Sequence, residues 1–196
     1  MLDIYTAKIP SDVVMEAVYP KERQDLIEST KNPTVRRARY CVWRLFEYAL
    51  KNSLGLEIKN IDVYRSESGK WLSDDFCFSL SHTDGIVAVA ISDFPVGIDV
   101  EKVRDVDIDA FSKRVLTENE RNALSLMASP CDNIIKLWTA KESIYKMLGT
   151  SPFVPSKIDV ADYRIATFQE YLGDDKYYLT VSSAISTEAR KFSVEI

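Results

Sequence analysis

The sequence predicts an α+β fold of two similar, pseudo-twofold halves, each a small, mainly antiparallel sheet packed on one long helix. Three observations predict it. Residues 34–53 repeat apolar side chains at helical spacing. Residues 76–81 and 86–92 are short β-rich runs joined at Asp84-Gly85, a hairpin signal. Residues 132–148 form a second amphipathic helix, and further strand-like runs follow it. Helix-then-strands therefore occurs twice. The two halves are placed at residues 1–100 and 101–196, although no sequence repeat links them.

The elements follow in order. Met1 to Ala7 reads as a strand, and Pro20 to Arg23 as a turn into a short helix. In the first long helix Val35, Ala38, Val42, Leu45, Phe46, Ala49 and Leu50 make the apolar stripe, with Thr34 as the expected N-cap after Pro33. Its surface carries Arg36, Arg37, Arg39 and Arg44. A strand is expected at 60–64, and another at Gly97-Ile98-Asp99-Val100-Glu101. Thr117 and Glu120 make a capping box that opens a helix toward Met127. In the second long helix Ile134, Leu137, Trp138, Ile144, Tyr145 and Leu148 make the stripe, and Gly149 stops it. Strands are expected near 157–164, 176–183 and 191–195.

Composition narrows the function. Apolar content of 46% and charged content of 28% fit a soluble globular protein. A net charge of −5 argues against generic nucleic-acid binding. No run reaches the length of a membrane span, and the N-terminus lacks the basic and apolar regions of a signal peptide, so a cytoplasmic protein is expected. Cys41, Cys77 and Cys131 are odd in number and widely spaced, which points to buried thiols rather than disulfides or a zinc site.

Four constellations are candidates for chemistry. Asp99 and Glu101 alternate with Ile98 and Val100, so in a strand both carboxylates share one face. Two such acids suit Mg²⁺, which takes oxygen ligands and completes its shell with phosphate and water; their ordinary reading is the solvated face of an edge strand. Ser81-His82 ends a strand beside the hairpin turn, where the chain's only histidine is exposed and placed to donate to a phosphate, unless it is structural. Glu142 and Lys146 share a helix face, as a surface ion pair or as metal and phosphate ligands. Gly69-Lys70 reads as a turn, and the arginines at 36–39 as a solvated helix face or a phosphate site. A Ser-His-Asp hydrolase and a P-loop kinase both lack their motifs.

Taken in order, Gly69-Lys70, Phe78-Ser79-Leu80-Ser81-His82, Val96-Gly97-Ile98-Asp99-Val100-Glu101 and Trp138-x-x-Lys141-Glu142-Ser143-x-x-Lys146 resemble the 4′-phosphopantetheinyl transferases of the surfactin-synthetase-activating type. That pattern runs G-K-P, N-I-S-H-S, G-I-D-I-E and W-x-x-K-E-S/A-x-x-K. Trp71 replaces the Pro, Ser79-Leu80 replaces Asn-Ile, and Thr83 replaces the last Ser. Residues 1–30 and 150–196 match no motif.

The resemblance implies transfer of the phosphopantetheine arm of coenzyme A to a serine of an apo acyl, polyketide or peptidyl carrier protein, with release of adenosine 3′,5′-bisphosphate. Coenzyme A would lie between the two halves. Asp99, Glu101 and Glu142 look like ligands of Mg²⁺, or of Mn²⁺ in its place. Lys146 and His82 look like the phosphate-contacting residues, Glu142 like the proton acceptor, and Ser81 and Lys70 like further coenzyme A contacts. Arg36 or Arg37 is similar in place to the arginine near the 3′-phosphate. Lys113, Arg114 and Leu116 are candidates for a carrier-binding patch, and a monomer is expected. The rival reading is a coenzyme A or carrier-protein binder of the same fold without turnover.

Overall fold

The computed structural model describes residues 1–185 and 188–196. Nine strands and five α-helices are assigned among them: β1 (Leu2–Lys8), α1 (Lys21–Glu28), α2 (Pro33–Leu54), β2 (Tyr64–Arg65), β3 (Trp71–Leu72), β4 (Cys77–Thr83), β5 (Ile86–Ser92), β6 (Val96–Lys102), α3 (Ile108–Val115), α4 (Glu118–Leu124), α5 (Pro130–Leu148), β7 (Ile165–Leu172), β8 (Asp175–Ser183) and β9 (Arg190–Val194). The first sheet has the order β4-β5-β1-β9, the second β6-β8-β7, and β2-β3 is a small ribbon. All pairs are antiparallel except β1 with β9.

Periodicity explains the layering. Tyr5, Ala7, Phe78, Val87, Val89 and Ile91 face α2 in one core with Trp43, Leu45 and Phe46. The alternate residues Leu2, Ile4, Ile86, Ala88 and Ala90 face the second sheet, meeting Val96, Ile98, Val100 and Leu179. Sheet one is thus covered on both faces, which is why every residue of β5 is buried and its sequence does not alternate. The other face of the second sheet packs on α5. The mixed α+β architecture, with one long helix on each larger sheet, agrees with the expectation. Strand β6 spans the expected division at residue 100, and β9 returns from the C-terminal half to pair with β1.

The two main sheets are joined at their edges by side chains. Strand β4 is the edge of the first sheet and β6 the edge of the second. The backbone N–H of Ile98 donates to Ser79 Oγ (3.0 Å), and that of Val100 to Ser81 Oγ (3.3 Å). Hydroxyls thereby satisfy ladder groups that would otherwise be buried and unpaired.

Some local expectations change. Thr34 is not the cap of α2; Asn32 is, its side chain accepting from the N–H groups of Thr34 and Val35, which puts Pro33 in the first turn. The run at 60–64 is mostly a 3-10 turn and loop, with only Tyr64 and Arg65 in a strand, and 157–164 holds two 3-10 turns before β7 begins at Ile165. Cys41 is buried, but Cys77 and Cys131 are half-exposed; all three are free thiols. The buried face of α5 is not the apolar stripe alone. It is Ile134, Ile135, Thr139, Ala140, Lys141, Ser143 and Ile144, while Leu148 is exposed. Small residues are there because β6 passes very close. A Cβ on Gly97 would fall 1.8 Å from the Ser143 carbonyl oxygen and 2.5 Å from the Met147 nitrogen.

A Gly97→Ala variant therefore forces α5 away from β6. Urea unfolding should show a loss of about 3 kcal/mol or more, in the range of severe overpacking. A loss below about 1 kcal/mol would mean that helix and strand separate freely.

Candidate active site

Strand β6 turns Asp99 and Glu101 toward α5, as the period of two requires. Asp99 is buried. Its Oδ1 accepts from Ser81 Oγ (2.7 Å) and from Lys146 Nζ (2.7 Å), while its Oδ2 is buried with no partner among the described residues. Burial pushes the Asp99 carboxyl up, and Lys146 opposes that shift. Glu101 Oε1 accepts from the indole of Trp138 (3.2 Å) and its Oε2 from Arg104 (2.8 Å). Glu142 lies on the same side of α5 as Lys146. Burial, with Asp99 and Glu101 adding repulsion, raises its carboxyl to about 7, although Lys146 opposes them. The three acids feel one another, and one of their oxygens lacks a partner.

The motif's other lysine does different work. Lys141 is fully buried, pairs with Glu120 at 2.6 Å, and donates to the carbonyls of Pro155 (3.0 Å) and Ile158. Glu120 also accepts from the Thr117 and Val160 N–H groups. This knot fixes α5 against the start of α4 and the segment after it.

Basic side chains extend from the acids along the first sheet. His82 is half-buried on the α2 side of β4, not exposed in the turn as expected. Burial, then Lys146, Arg23 and Arg39, drive its imidazole down to about 4, so it is neutral at pH 7. Arg23 is 4% exposed and its Nε has no partner. Burial and the neighbouring Arg39 and Arg65 lower its guanidinium to about 9. Arg39 is held by Thr30 Oγ1 at 2.7 Å, and Arg65 Nε by the Gly69 carbonyl at 3.1 Å. Three guanidiniums without an acid among their hydrogen-bond partners in the described residues make a site that an anion would relieve.

Lys70 donates to the carbonyl of Lys146 in the last turn of α5, a cation placed at the negative end of the helix. A cavity of about 210 Å³ lies behind it, lined by Lys70, Trp71, Phe78, Leu80, Tyr145 and Lys146. A cavity of about 550 Å³ on the outer face of α2 is larger, but no motif residue lines it.

Ser81, His82, Asp99, Glu101, Glu142 and Lys146 thus come together, with Lys70 at the adjoining cavity. Ser81 pins Asp99. Arg36 donates to the Thr30 carbonyl (2.9 Å), and Arg37 acts on Cys41; neither is among the cations that perturb His82 or Arg23. Sequence reasoning missed Arg23 and Arg65. Arg23 follows the Pro20 turn, and Arg65 sits four residues before Gly69, so only the fold brings them together. Leu116 is fully buried in the core below α5 and offers no surface; Lys113 and Arg114 are exposed.

Parts of the chain match known proteins. Residues 95–190, from β6 to the start of β9, match the family model of the 4′-phosphopantetheinyl transferase superfamily. The chain's likeness is to the surfactin-synthetase-activating type. A 4′-phosphopantetheinyl transferase of Aneurinibacillus migulanus is 37% identical over 52% of this chain and 44% of its own length. One of Bacillus pumilus is 29% identical over 51% and 40%, and one of Bacillus subtilis 27% identical over 71% and 70%. The chain thus spans about two fifths of the length of the first two curated relatives that it matches. The crystal structure of Thermotoga maritima holo-[acyl-carrier-protein] synthase aligns with a TM-score of 0.32 and 21% identity over 46% of this chain and 63% of that one.

The single histidine permits a direct check of the basic strip. NMR titration of His82 should give a midpoint near 4 in the folded protein. The unfolded chain takes up that proton near pH 6.5. Between the two values the unfolded state binds more protons, so His82 lowers stability as pH falls through this window. A midpoint at or above about 6.5 would show a solvated imidazole. Lys146→Met should raise the midpoint by removing one of the cations.

Proposed function

We propose that this protein transfers the 4′-phosphopantetheine arm of coenzyme A to a serine hydroxyl of an apo carrier protein. The observation that carries the proposal is the run of basic side chains that starts at the carboxylates and ends at an arginine cluster with no acid partner among the described residues. Coenzyme A has a diphosphate and a separate phosphomonoester, and the two charge-rich regions match them in kind. We assign Lys146 and His82 to the diphosphate and Arg23, Arg39 and Arg65 to the phosphomonoester, with Arg36 and Arg37 on the same helix as the alternative first suggested by the sequence. Lys70 and Ser81 serve the coenzyme A cleft from its walls. The cleft lies between two halves that we read as pseudo-twofold related, 1–100 and 101–196.

The donor chemistry suits a divalent cation of the Mg²⁺ or Mn²⁺ class: carboxylate oxygens only, one of them orphaned on Asp99. Among the described residues no three acidic, histidine or cysteine side chains stand at metal-holding distances as placed, and Lys146 occupies Asp99 Oδ1. Asp99, Glu101 and Glu142 are the residues that would hold the ion. When bound, it would neutralise diphosphate charge and orient the donor.

The chain's own groups supply the rest. The carrier's serine oxygen bonds to the β-phosphorus as the bond from that phosphorus to the bridging oxygen breaks. The bridging oxygen leaves with the electron pair on adenosine 3′,5′-bisphosphate. Glu142, raised to about 7, takes the serine proton. The Lys146 ammonium and the N–H of neutral His82 stabilise charge on the leaving phosphate. Lys113 and Arg114 on the exposed end of α3 are the carrier-docking candidates, since carriers of this kind are acidic. We place the protein in the cytoplasm as a monomer; no helix among the described residues is long and apolar enough to cross a membrane.

Intact-mass spectrometry of an apo carrier with this protein, coenzyme A and Mg²⁺ should show one added arm. Chelator and Asp99→Ala should abolish it, and Glu142→Gln should slow it by about a hundredfold or more, the range of a lost general base. Coenzyme A binding without transfer to acyl, aryl or peptidyl carriers would favour the non-catalytic binder. A second measurement concerns docking. Reversing both Lys113 and Arg114 should raise the KM for carrier with little change in kcat, and the gap should narrow at high salt. An unchanged KM would remove α3 from the docking surface.

A further inference from the structure

Trp71 replaces the proline of the family pattern, and its ring is turned inward, only 7% of the residue being exposed. It packs on Trp43, with ring centroids 5.0 Å apart and planes at 58°. The Arg23 guanidinium lies 4.7 Å from the Trp43 ring and 5.9 Å from the Trp71 ring, and it also donates to the Arg39 carbonyl. Trp43 is itself fixed by donation from its Nε1 to the Tyr19 carbonyl at 2.7 Å, just ahead of the helix that carries Arg23.

The same residue pairs with the opposite strand. Trp71 lies directly across the β2-β3 ladder from Arg65. Arg65 is held to the carbonyl of Gly69, and Lys70 to the end of α5. One residue therefore meets the Arg23 guanidinium with its ring and pairs with Arg65 across the ladder, and its side chain also walls the cavity beside Lys70.

A buried guanidinium needs compensation. Arg23 has no carboxylate among its partners, and its Nε is unpaired. The faces of two indoles attract a cation and restrain the plane of a guanidinium, so they hold its donors in a fixed direction.

We infer that Trp71 is a positioning residue: with Trp43 it orients Arg23 and steadies Arg65 so that the cluster recognises the phosphomonoester of coenzyme A. Trp71 thereby sets how strongly the protein prefers coenzyme A to its dephospho form. The inference rests on the coenzyme A reading given above.

Calorimetric titration with coenzyme A and with dephospho-coenzyme A, which lacks that phosphate, separates the possibilities. The wild type should bind coenzyme A more tightly by about tenfold or more, the range of charge-assisted contacts. Trp71→Ala should lose most of this preference while its affinity for the dephospho form changes by less than about twofold, a difference within the small end of cation–π effects. Arg23→Met should behave alike, and the double variant should be no worse than Arg23→Met. Trp71→Phe keeps an aromatic face and should retain part of the preference; thermal unfolding of each variant checks that it is folded. Equal loss for both ligands would overturn the inference, leaving Trp71 as core filling, and so would full preference in Trp71→Ala. A wild type that binds both forms equally would overturn it while the coenzyme A reading stands. A wild type that binds neither would overturn the coenzyme A reading, and this inference with it.

Discussion

Two hydroxyl oxygens, Ser79 Oγ and Ser81 Oγ, close the seam on which the molecule depends. They accept the outward N–H groups of β6 and so join the free edges of two sheets without a shared ladder. Ser81 does more, because the hydroxyl that accepts from Val100 also donates to Asp99. Fold and site therefore share an atom. Once β6 is fixed against β4, Gly97 lets α5 settle on it, and Lys146 reaches the same carboxylate. The acids need no loop to carry them; they stand on a strand and a helix held at closest approach. Rigid support of that kind suits chemistry that needs little positional error.

The charges around the seam are left deliberately unbalanced. Asp99 has one oxygen without a partner, and Arg23 one nitrogen. Burial, with two other acids nearby, raises the Glu142 carboxyl, and burial, with three cations nearby, keeps His82 neutral. A fold selected only for stability would pair or remove these groups, because each buried unsatisfied polar group costs about 1–3 kcal/mol. Other charges are paired, such as Lys141 with Glu120 and Asp3 with Arg190, so the unpaired ones near the seam are what the proposed ligand would complete.

What the sequence disclosed follows from what its physics makes local. Helix α2, the Asp84-Gly85 hairpin, the Thr117 capping box and the Gly149 stop are all written in neighbouring residues, and each is present. The ordered motifs also single out Asp99, Glu101, Glu142 and Lys146, and the fold brings these four side chains near one another. The misreadings have long-range causes. Nothing near Leu116 says that α5 covers it. The turns at 157–164 are capped locally by Asp159 but also tied down by Lys141 and Glu120, which lie far away in sequence. Arg23, Arg39 and Arg65 come from three elements, so no spacing could reveal their cluster. His82 looked exposed because a turn follows it, yet the pleat directs it toward α2.

The parallel pairing of β9 with β1 bears on how the chain acquires its structure. Asp3 is fully buried in the first strand, and its carboxylate is met by Arg190 through two contacts of 2.7 Å. That partner is made 187 residues later. The α2 helix and the β4-β5 hairpin can form from local residues, and Ser53 of α2 can donate to Asp3, but the ion pair and the outer edge of β1 wait for the distant β9. Closing so distant a pair is slow. Loss of the β9 segment would leave β1 as an open sheet edge and Asp3 held by Ser53 Oγ alone, the kind of surface that quality-control proteases and chaperones recognise.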